Sequence, residues 1–282
     1  MTKHEAAPAA ATGQDSHNLL MRIVAALVLA PLAIATAYAG GWFWAGLVTL
    51  ASVGLYLEWL MVVNAAGDIR VTASGSVAIA VAGWCLAAGH LQVALAALAL
   101  GLAAAALLSG ERRRWIIAGF LYAAAALIAS VLVRLDEPEG LIALIFVLLV
   151  VWSSDIGGYF AGRGIGGPKL WPRVSPKKTW AGAIGGFAAS LAVAAGFAAF
   201  GVGKFLPLLV LAAVLSIASQ LGDLFESAVK RRFGVKDSSH IIPGHGGLMD
   251  RLDGYVAAIV LAAVFGILRG GMDGVGRALM VW

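Results

Sequence analysis

Apolar residues run along this chain in blocks of about twenty, separated by short polar breaks, from Met21 to Gly270. A block of about 20 mostly apolar residues is what a helix needs to cross a bilayer. Nine blocks are recognisable, near 22–39, 42–63, 71–89, 91–109, 115–133, 140–160, 179–200, 204–222 and 254–270. The pattern predicts an all-α fold, a polytopic integral membrane protein with about nine transmembrane helices. Only Gly89-His90 separates the third block from the fourth, and the eighth runs straight into charged residues. Residues 1–20 are polar and Ala-rich and read as a disordered cytoplasmic tail. The apolar run that follows starts too late and is too long for a cleaved signal, so Met21 onward reads as a retained first span. Residues 21–135 are then N-terminal transmembrane helices with few polar features, and 136–282 a C-terminal transmembrane region that carries the polar motifs. Glu58, late in the second block beside Trp59, is expected at the membrane interface.

Composition agrees with the pattern. Charged residues make up 12% of the chain, about half the fraction of a soluble domain. The 36 glycines suit closely packed membrane helices and make a homodimer a candidate assembly. With Cys85 as its one cysteine, the chain forms no internal disulfide and no cysteine metal cluster. The net charge of +5 comes without a basic-aromatic module, so no nucleic-acid partner is expected. Basic residues keep to the cytoplasmic side of a membrane. With nine spans and the N-terminus inside, the outer segments hold only Arg134, Lys204, Arg269 and Arg277 of the 20 basic residues. The expected location is the cell inner (plasma) membrane, multi-pass, with the polar motifs facing the cytoplasm.

Three polar clusters then fall on that side. The first runs from Ser153-Ser154-Asp155 through Tyr159 to Gly162-Arg163-Gly164-Ile165-Gly166-Gly167. An intramembrane carboxylate such as Asp155 is a functional candidate by default. Gly162, Gly164 and Gly167 satisfy G-x-G-x-x-G, but no βαβ unit surrounds them, which argues against a dinucleotide fold. A glycine turn whose N–H groups approach phosphate is the reading that remains. The second cluster, Ser175-Pro176-Lys177-Lys178-Thr179-Trp180, places two lysines and two hydroxyls at the expected start of the seventh helix, a good anion site. The third begins at Gly222-Asp223-Leu224-Phe225-Glu226-Ser227. As a helix, Asp223, Glu226, Ser227 and Lys230 share one face. Lys236-Asp237, the Pro243-Gly244-His245-Gly246-Gly247 turn and Asp250-Arg251-Leu252-Asp253 follow. Separated carboxylates among lysines and arginines suit a Mg²⁺–polyphosphate site, because Mg²⁺ takes one or two carboxylates plus phosphate oxygens and water.

The run Ser227-x-Val229-Lys230-Arg231-x4-Lys236-Asp237-x-Ser239-x2-Ile242-Pro243-x-His245-Gly246-Gly247-Leu248-x-Asp250-Arg251-Leu252-Asp253 resembles the signature of the phosphatidate cytidylyltransferase (CDP-diacylglycerol synthase) family. The Ser-Pro-Lys-Lys-Thr-Trp run and the run through Asp155, Tyr159 and Gly162-Arg163 are similar to other polar segments of that family. The likeness covers roughly Leu141 to the C-terminus. Ala181 departs from it, standing where the family pattern carries Glu. The resemblance implies a Mg-dependent nucleotidyltransferase of phospholipid biosynthesis, working at the lipid bilayer. It would transfer CMP from CTP to phosphatidic acid and give CDP-diacylglycerol and pyrophosphate. It also implies that region 136–282 is catalytic. On this reading Asp223 and Asp250, with Asp253 and Asp155 as further candidates, hold Mg²⁺ and any second cation. Ser175, Lys177, Lys178, Lys230, Arg231 and Lys236 hold phosphates, and Asp237 orients Lys236. His245, Gly246 and Gly247 shape the nucleotide turn, and Arg251 belongs to the catalytic set. A transporter with Asp155, Asp223 and Glu226 lining a path is the alternative from another class. It calls for charges spread over several helices, whereas here they gather beside basic loops.

Overall fold

The computed structural model describes residues 31–239 and 246–282. The expected tail over 1–20, the beginning of the first expected span, and His240 and His245 lie outside the described residues. In chain order the elements are α1 (31–39), α2 (Gly41–Val62), α3 (Ile69–Ala87), α4 (Leu91–Leu108), α5 (Arg113–Leu135), α6 (Glu139–Gly164), β1 (Lys169–Trp171), β2 (Ser175–Thr179), α7 (Trp180–Ala199), α8 (Phe205–Arg232), α9 (Met249–Gly270) and α10 (Val275–Met280). Eight of these, α2 to α9, are long and apolar enough to cross a membrane. The fold is all-α and polytopic, as the hydrophobic pattern predicts.

The boundaries differ from the pattern where charge begins. Hydropathy ends the eighth block at 222, yet α8 continues to Arg232. Its 28 residues span about 42 Å, against the roughly 30 Å of a bilayer core. The extra turns hold together because Leu224, Glu226, Val229 and Lys230 are buried against the rest of the bundle. At the other end of the loop α9 begins at Met249 rather than 254, so Asp250, Arg251 and Asp253 are helical. Between α6 and α7 a two-stranded antiparallel hairpin pairs Lys169 with Thr179 and Trp171 with Ser175. Lys177 and Lys178 therefore lie on β2 and not in a first helical turn, and Thr179 caps α7 by accepting the Gly182 N–H at 3.1 Å.

Two groups of helices pack side by side. Helices α2 to α5 form one, around Tyr56, Trp59, Phe120 and Leu127, all fully buried. Helices α6 to α10 form the other, and α5 meets both α6 and α9. Arg134 fixes the start of the chain to this frame: it is buried and donates to the carbonyls of Ala37 and Tyr38 and to Glu137. Antiparallel crossings bring the C-terminal ends of α2, α6 and α8 and the N-terminal ends of α7 and α9 to one end of the bundle, where the described residues of the three polar clusters gather.

Helices α6 and α7 make the closest pair. A Cβ on Gly186 would lie 2.4 Å from the Ser154 carbonyl oxygen, and one on Gly185 would lie 2.2 Å from the Ala161 Cβ. Small residues are used in membranes to let backbones approach in this way. The glycines of the first polar cluster divide accordingly. Gly162 is helical and packs against Gly182, while Gly166 and Gly167 take positive φ and turn the chain into the hairpin. Gly186→Ala is expected to destabilise the protein by about 1–3 kcal/mol through overpacking. Gly196→Ala on the same helix, with nothing near its Cβ, should stay within about 1 kcal/mol of wild type. Thermal unfolding of the detergent-purified variants tests the contrast.

Candidate active site

A cleft of about 600 Å³ opens at the polar end of the bundle. The C-terminal half of α6 lines one wall with Asp155, Tyr159 and Arg163. The hairpin lines another with Lys177 and Lys178, and Gln220 and Asp223 of α8 line a third. Lys178 forms an ion pair with Asp223, and Arg163 donates to the Tyr159 hydroxyl at 2.9 Å. Toward the membrane centre the cleft has a polar floor. Ser154 and Ser216 are 3.2 Å apart, and the Gln220 amide reaches the Ala183 carbonyl at 3.3 Å. Asp253, in the first turns of α9, lies within electrostatic reach of both Asp223 and Asp155.

Three carboxylates from three helices thus converge, with Lys178 as the cation beside them. Among the described residues no group of three carboxylate, imidazole or thiol side chains encloses a metal site by itself. Mg²⁺ asks for one or two carboxylates and completes its shell with phosphate oxygens and water. A second, apolar cavity of about 200 Å³ adjoins two of these carboxylates, Asp155 and Asp253. Trp44, Val48, Leu55, Leu148 and Val151 form its apolar wall, and Asp155, Arg251 and Asp253 its polar end. Asp155 faces both spaces.

Other residues predicted from the sequence fall into a second, separate arrangement. Lys230 is buried, with its Nζ 2.7 Å from Glu226 and 2.5 Å from Asp250. Asp250 also accepts the backbone N–H groups of Ser238 at 3.1 Å and Gly247 at 2.9 Å. The Asp250 carboxylate is thereby taken up by a lysine and two backbone donors, away from the cleft that Asp155 and Asp223 line. Arg231 is exposed and donates to the Val235 carbonyl; Lys236 and Asp237 are exposed on the turn after α8. Ser175 is half-buried opposite Trp171, and Gly246 and Gly247 lead into α9.

One residue has partners that the sequence pattern does not show. Glu58, expected at the interface, is fully buried and accepts four hydrogen bonds, from the Ser238 and Ser239 hydroxyls and the Leu248 and Met249 N–H groups. The rule that singles out Asp155, a carboxylate within an apolar span, applies equally to Glu58. The neighbouring Trp59 suggested the interface instead, but its ring is buried and donates to the Trp115 carbonyl. The floor residues Ser154, Ser216 and Gln220 carried no comparable signal.

The Cytidylyltransferase family model matches residues 20–268, nearly the whole chain. This chain belongs to the cytidylyltransferase family. Among its relatives, the phosphatidate cytidylyltransferase of Brucella melitensis is 41% identical over 263 residues, covering 89% of this chain and 94% of the relative. That of Brucella suis is 40% identical over 262 residues with the same coverage. That of Bacillus subtilis is 42% identical over 127 residues, or 44% of this chain and 47% of the relative. The cytidylyltransferase fold here places both polar arrangements within the matched residues.

Lys230 separates two carboxylates that would otherwise be buried together without a counter-charge. Removing one partner of a buried ion pair is strongly destabilising. Lys230→Met is expected to cost about 3–5 kcal/mol, and adding Glu226→Gln should recover part of that loss. Midpoints of thermal unfolding for the single and double variants test this.

Proposed function

We infer that this chain is a phosphatidate cytidylyltransferase: it transfers the cytidylyl group of CTP to phosphatidic acid, giving CDP-diacylglycerol and pyrophosphate. Relatives of that name align along 89% of the chain. The observation that carries the reading is the convergence of Asp155, Asp223 and Asp253 between a polar cleft with basic walls and an apolar cavity. A water-soluble polyanion suits the first space and the apolar part of a lipid suits the second. The reacting phosphates then meet at the carboxylates between them.

The chemistry asks little of a general base, because a phosphate monoester is already largely ionised at neutral pH. A phosphatidate oxygen bonds to the α-phosphorus of CTP, and the bond from that phosphorus to the bridging oxygen breaks. Pyrophosphate leaves with the electron pair. The barrier lies in bringing two polyanions together and in stabilising the charge that builds on the leaving group. Arg163, Lys177 and Lys178 neutralise triphosphate charge from two sides of the cleft. Arg251, at the polar end of the apolar cavity, receives the lipid phosphate. Mg²⁺ would be held by Asp223 with one of its neighbours Asp155 and Asp253, and would supply charge neutralisation on the polyphosphate. Asp250, whose oxygens already hold Lys230 and two backbone N–H groups, anchors the segment before α9.

We also propose that the site faces the cytoplasm of a bacterial inner membrane. The skewed distribution of basic residues supports this orientation, as does the location of CTP. On that orientation a membrane-impermeant maleimide should label Arg232→Cys, in a Cys85→Ser background, in inverted vesicles and leave it unlabelled in intact spheroplasts.

Asp223→Asn and Asp253→Asn are each expected to lower CDP-diacylglycerol formation by about a hundredfold or more, as loss of a preorganised charge at a developing anion does. The assay uses purified protein, radiolabelled CTP, phosphatidic acid and Mg²⁺. Chelation should abolish wild-type turnover and Mg²⁺ restore it. A wild-type protein that makes no CDP-lipid from any lipid phosphate would refute the reading.

A further inference from the structure

We propose that Glu58, on α2 in the N-terminal helical group, is a positioning residue for the transfer site: its carboxylate caps α9 from a distance and sets where that helix begins. The inference rests on the functional reading above, because α9 carries Asp253 into the carboxylate set.

Met249 and Leu248 open α9, and Leu248 has no side chain able to cap it. The first N–H groups of any helix lack partners within it, and an anion there is favoured by the helix dipole. Glu58 meets both needs. Its Oε1 accepts the Leu248 N–H at 2.8 Å, and its Oε2 accepts the Met249 N–H at 2.7 Å. The same oxygens accept the hydroxyls of Ser239 at 2.6 Å and Ser238 at 2.9 Å. One carboxylate therefore ties the chain just after α8 to the first residues of α9.

Asp250 binds the same two segments from the other side, through the Ser238 and Gly247 N–H groups. Between the two carboxylates the backbone is held so closely that a Cβ on Gly247 would lie 1.8 Å from the Ser238 Oγ and 2.6 Å from the Glu58 Oε2. Only glycine fits there, which gives Gly247 a packing reason independent of any nucleotide. Glu58 itself has no exposed surface and lines neither the cleft nor the apolar cavity. It acts on the reaction through the placement of α9, where Asp253 must meet Asp155 and Asp223.

Glu58→Gln tests this. The variant is nearly isosteric, but it offers one oxygen where four donors converge and turns its own NH₂ toward two of them. In the CTP–phosphatidic acid assay, folded E58Q is expected to lose about ten- to a hundredfold in kcat, the scale of a small misplacement of reacting groups. KM for CTP should stay within about threefold, because no contact with the substrate is removed. Hydrogen exchange followed by mass spectrometry should show amides of residues 247–253 exchanging about tenfold faster or more, with α3 and α4 unchanged. A residue that only stabilised the fold would raise exchange throughout and lower the folded fraction, leaving kcat per folded molecule intact. Ser238→Ala/Ser239→Ala, which removes two of the four donors and spares the backbone, gives the same readouts if E58Q does not fold. Wild-type kcat in the folded variant, or unchanged exchange at 247–253, overturns the proposal. A wild-type protein that forms no CDP-lipid overturns the functional reading instead, and the exchange profile alone then decides whether Glu58 caps α9.

Discussion

Glu226, Lys230 and Asp250 cluster at one end of the bundle, where a single ammonium group pairs with two carboxylates. Ionised groups taken out of water cost several kcal/mol each unless paired and hydrogen-bonded. Asp250 meets that requirement with Lys230 and two backbone N–H groups, whereas Glu226 has the Lys230 ion pair but, among the described residues, no hydrogen bond to its buried oxygens; the shared lysine locks the last turns of α8 to the first turn of α9. Asp223 lies one turn before Glu226 on α8, and Asp253 one turn after Asp250 on α9. The compensated charges therefore set the spacing of the two that line the cleft side. Glu58 repeats the principle with neutral donors, four of them for one carboxylate.

The two arrangements differ in their charge balance, and the difference separates support from chemistry. Around Lys230 two carboxylates share one lysine, and Asp250 alone also accepts backbone N–H groups. Around Asp223 three carboxylates from three helices share Lys178. The second group carries excess negative charge in a confined space, which is tolerable where a cation completes it. The elements that hold it also differ in kind. Helices α6 and α7 touch backbone to backbone along a glycine seam, whereas the lysines sit on a hairpin of three- and five-residue strands. A helical carboxylate wall facing a basic hairpin suits a site that must admit a polyanion.

Much of this was legible in the sequence. Every expected span from the second to the ninth corresponds to a helix, because a run of apolar residues long enough to cross a bilayer has little choice but to satisfy its backbone internally. What hydropathy could not give was structure beyond the apolar runs. Hydropathy stops at 222, yet Leu224 and Val229 are buried and the helix continues to Arg232, as the shared face of Asp223, Glu226, Ser227 and Lys230 requires. The hairpin at 169–179 has strands too short and too charged to show alternation. Among candidate site residues, Asp155, Lys177, Lys178, Asp223 and Asp253 come together. Lys230 and Asp250 are drawn into a neighbouring network, because spacing along a helix shows which residues share a face and not which partner occupies it. Glu58 was hidden for the same reason: its donors lie about 180 to 190 residues away in the chain.

Helix length explains the depth at which the carboxylates meet. Asp155 lies sixteen residues from the start of α6 at Glu139, Asp223 eighteen from the start of α8 at Phe205, and Asp253 seventeen from the end of α9 at Gly270. At the α-helical rise these are about 24–27 Å from the far side of the bundle, just inside the roughly 30 Å hydrocarbon layer. Three helices of different length and direction thus deliver their acids to one level, where acyl chains give way to phosphates. A lipid phosphate reaches that level without leaving the membrane, and a nucleotide reaches it through the polar cleft. The excess length of α6 and α8 then projects past the layer and builds the walls that carry Arg163 and the Lys230 network. Shortening either helix by a turn would leave the acids in hydrocarbon with no basic wall above them, so the overlong helices are a condition of the site.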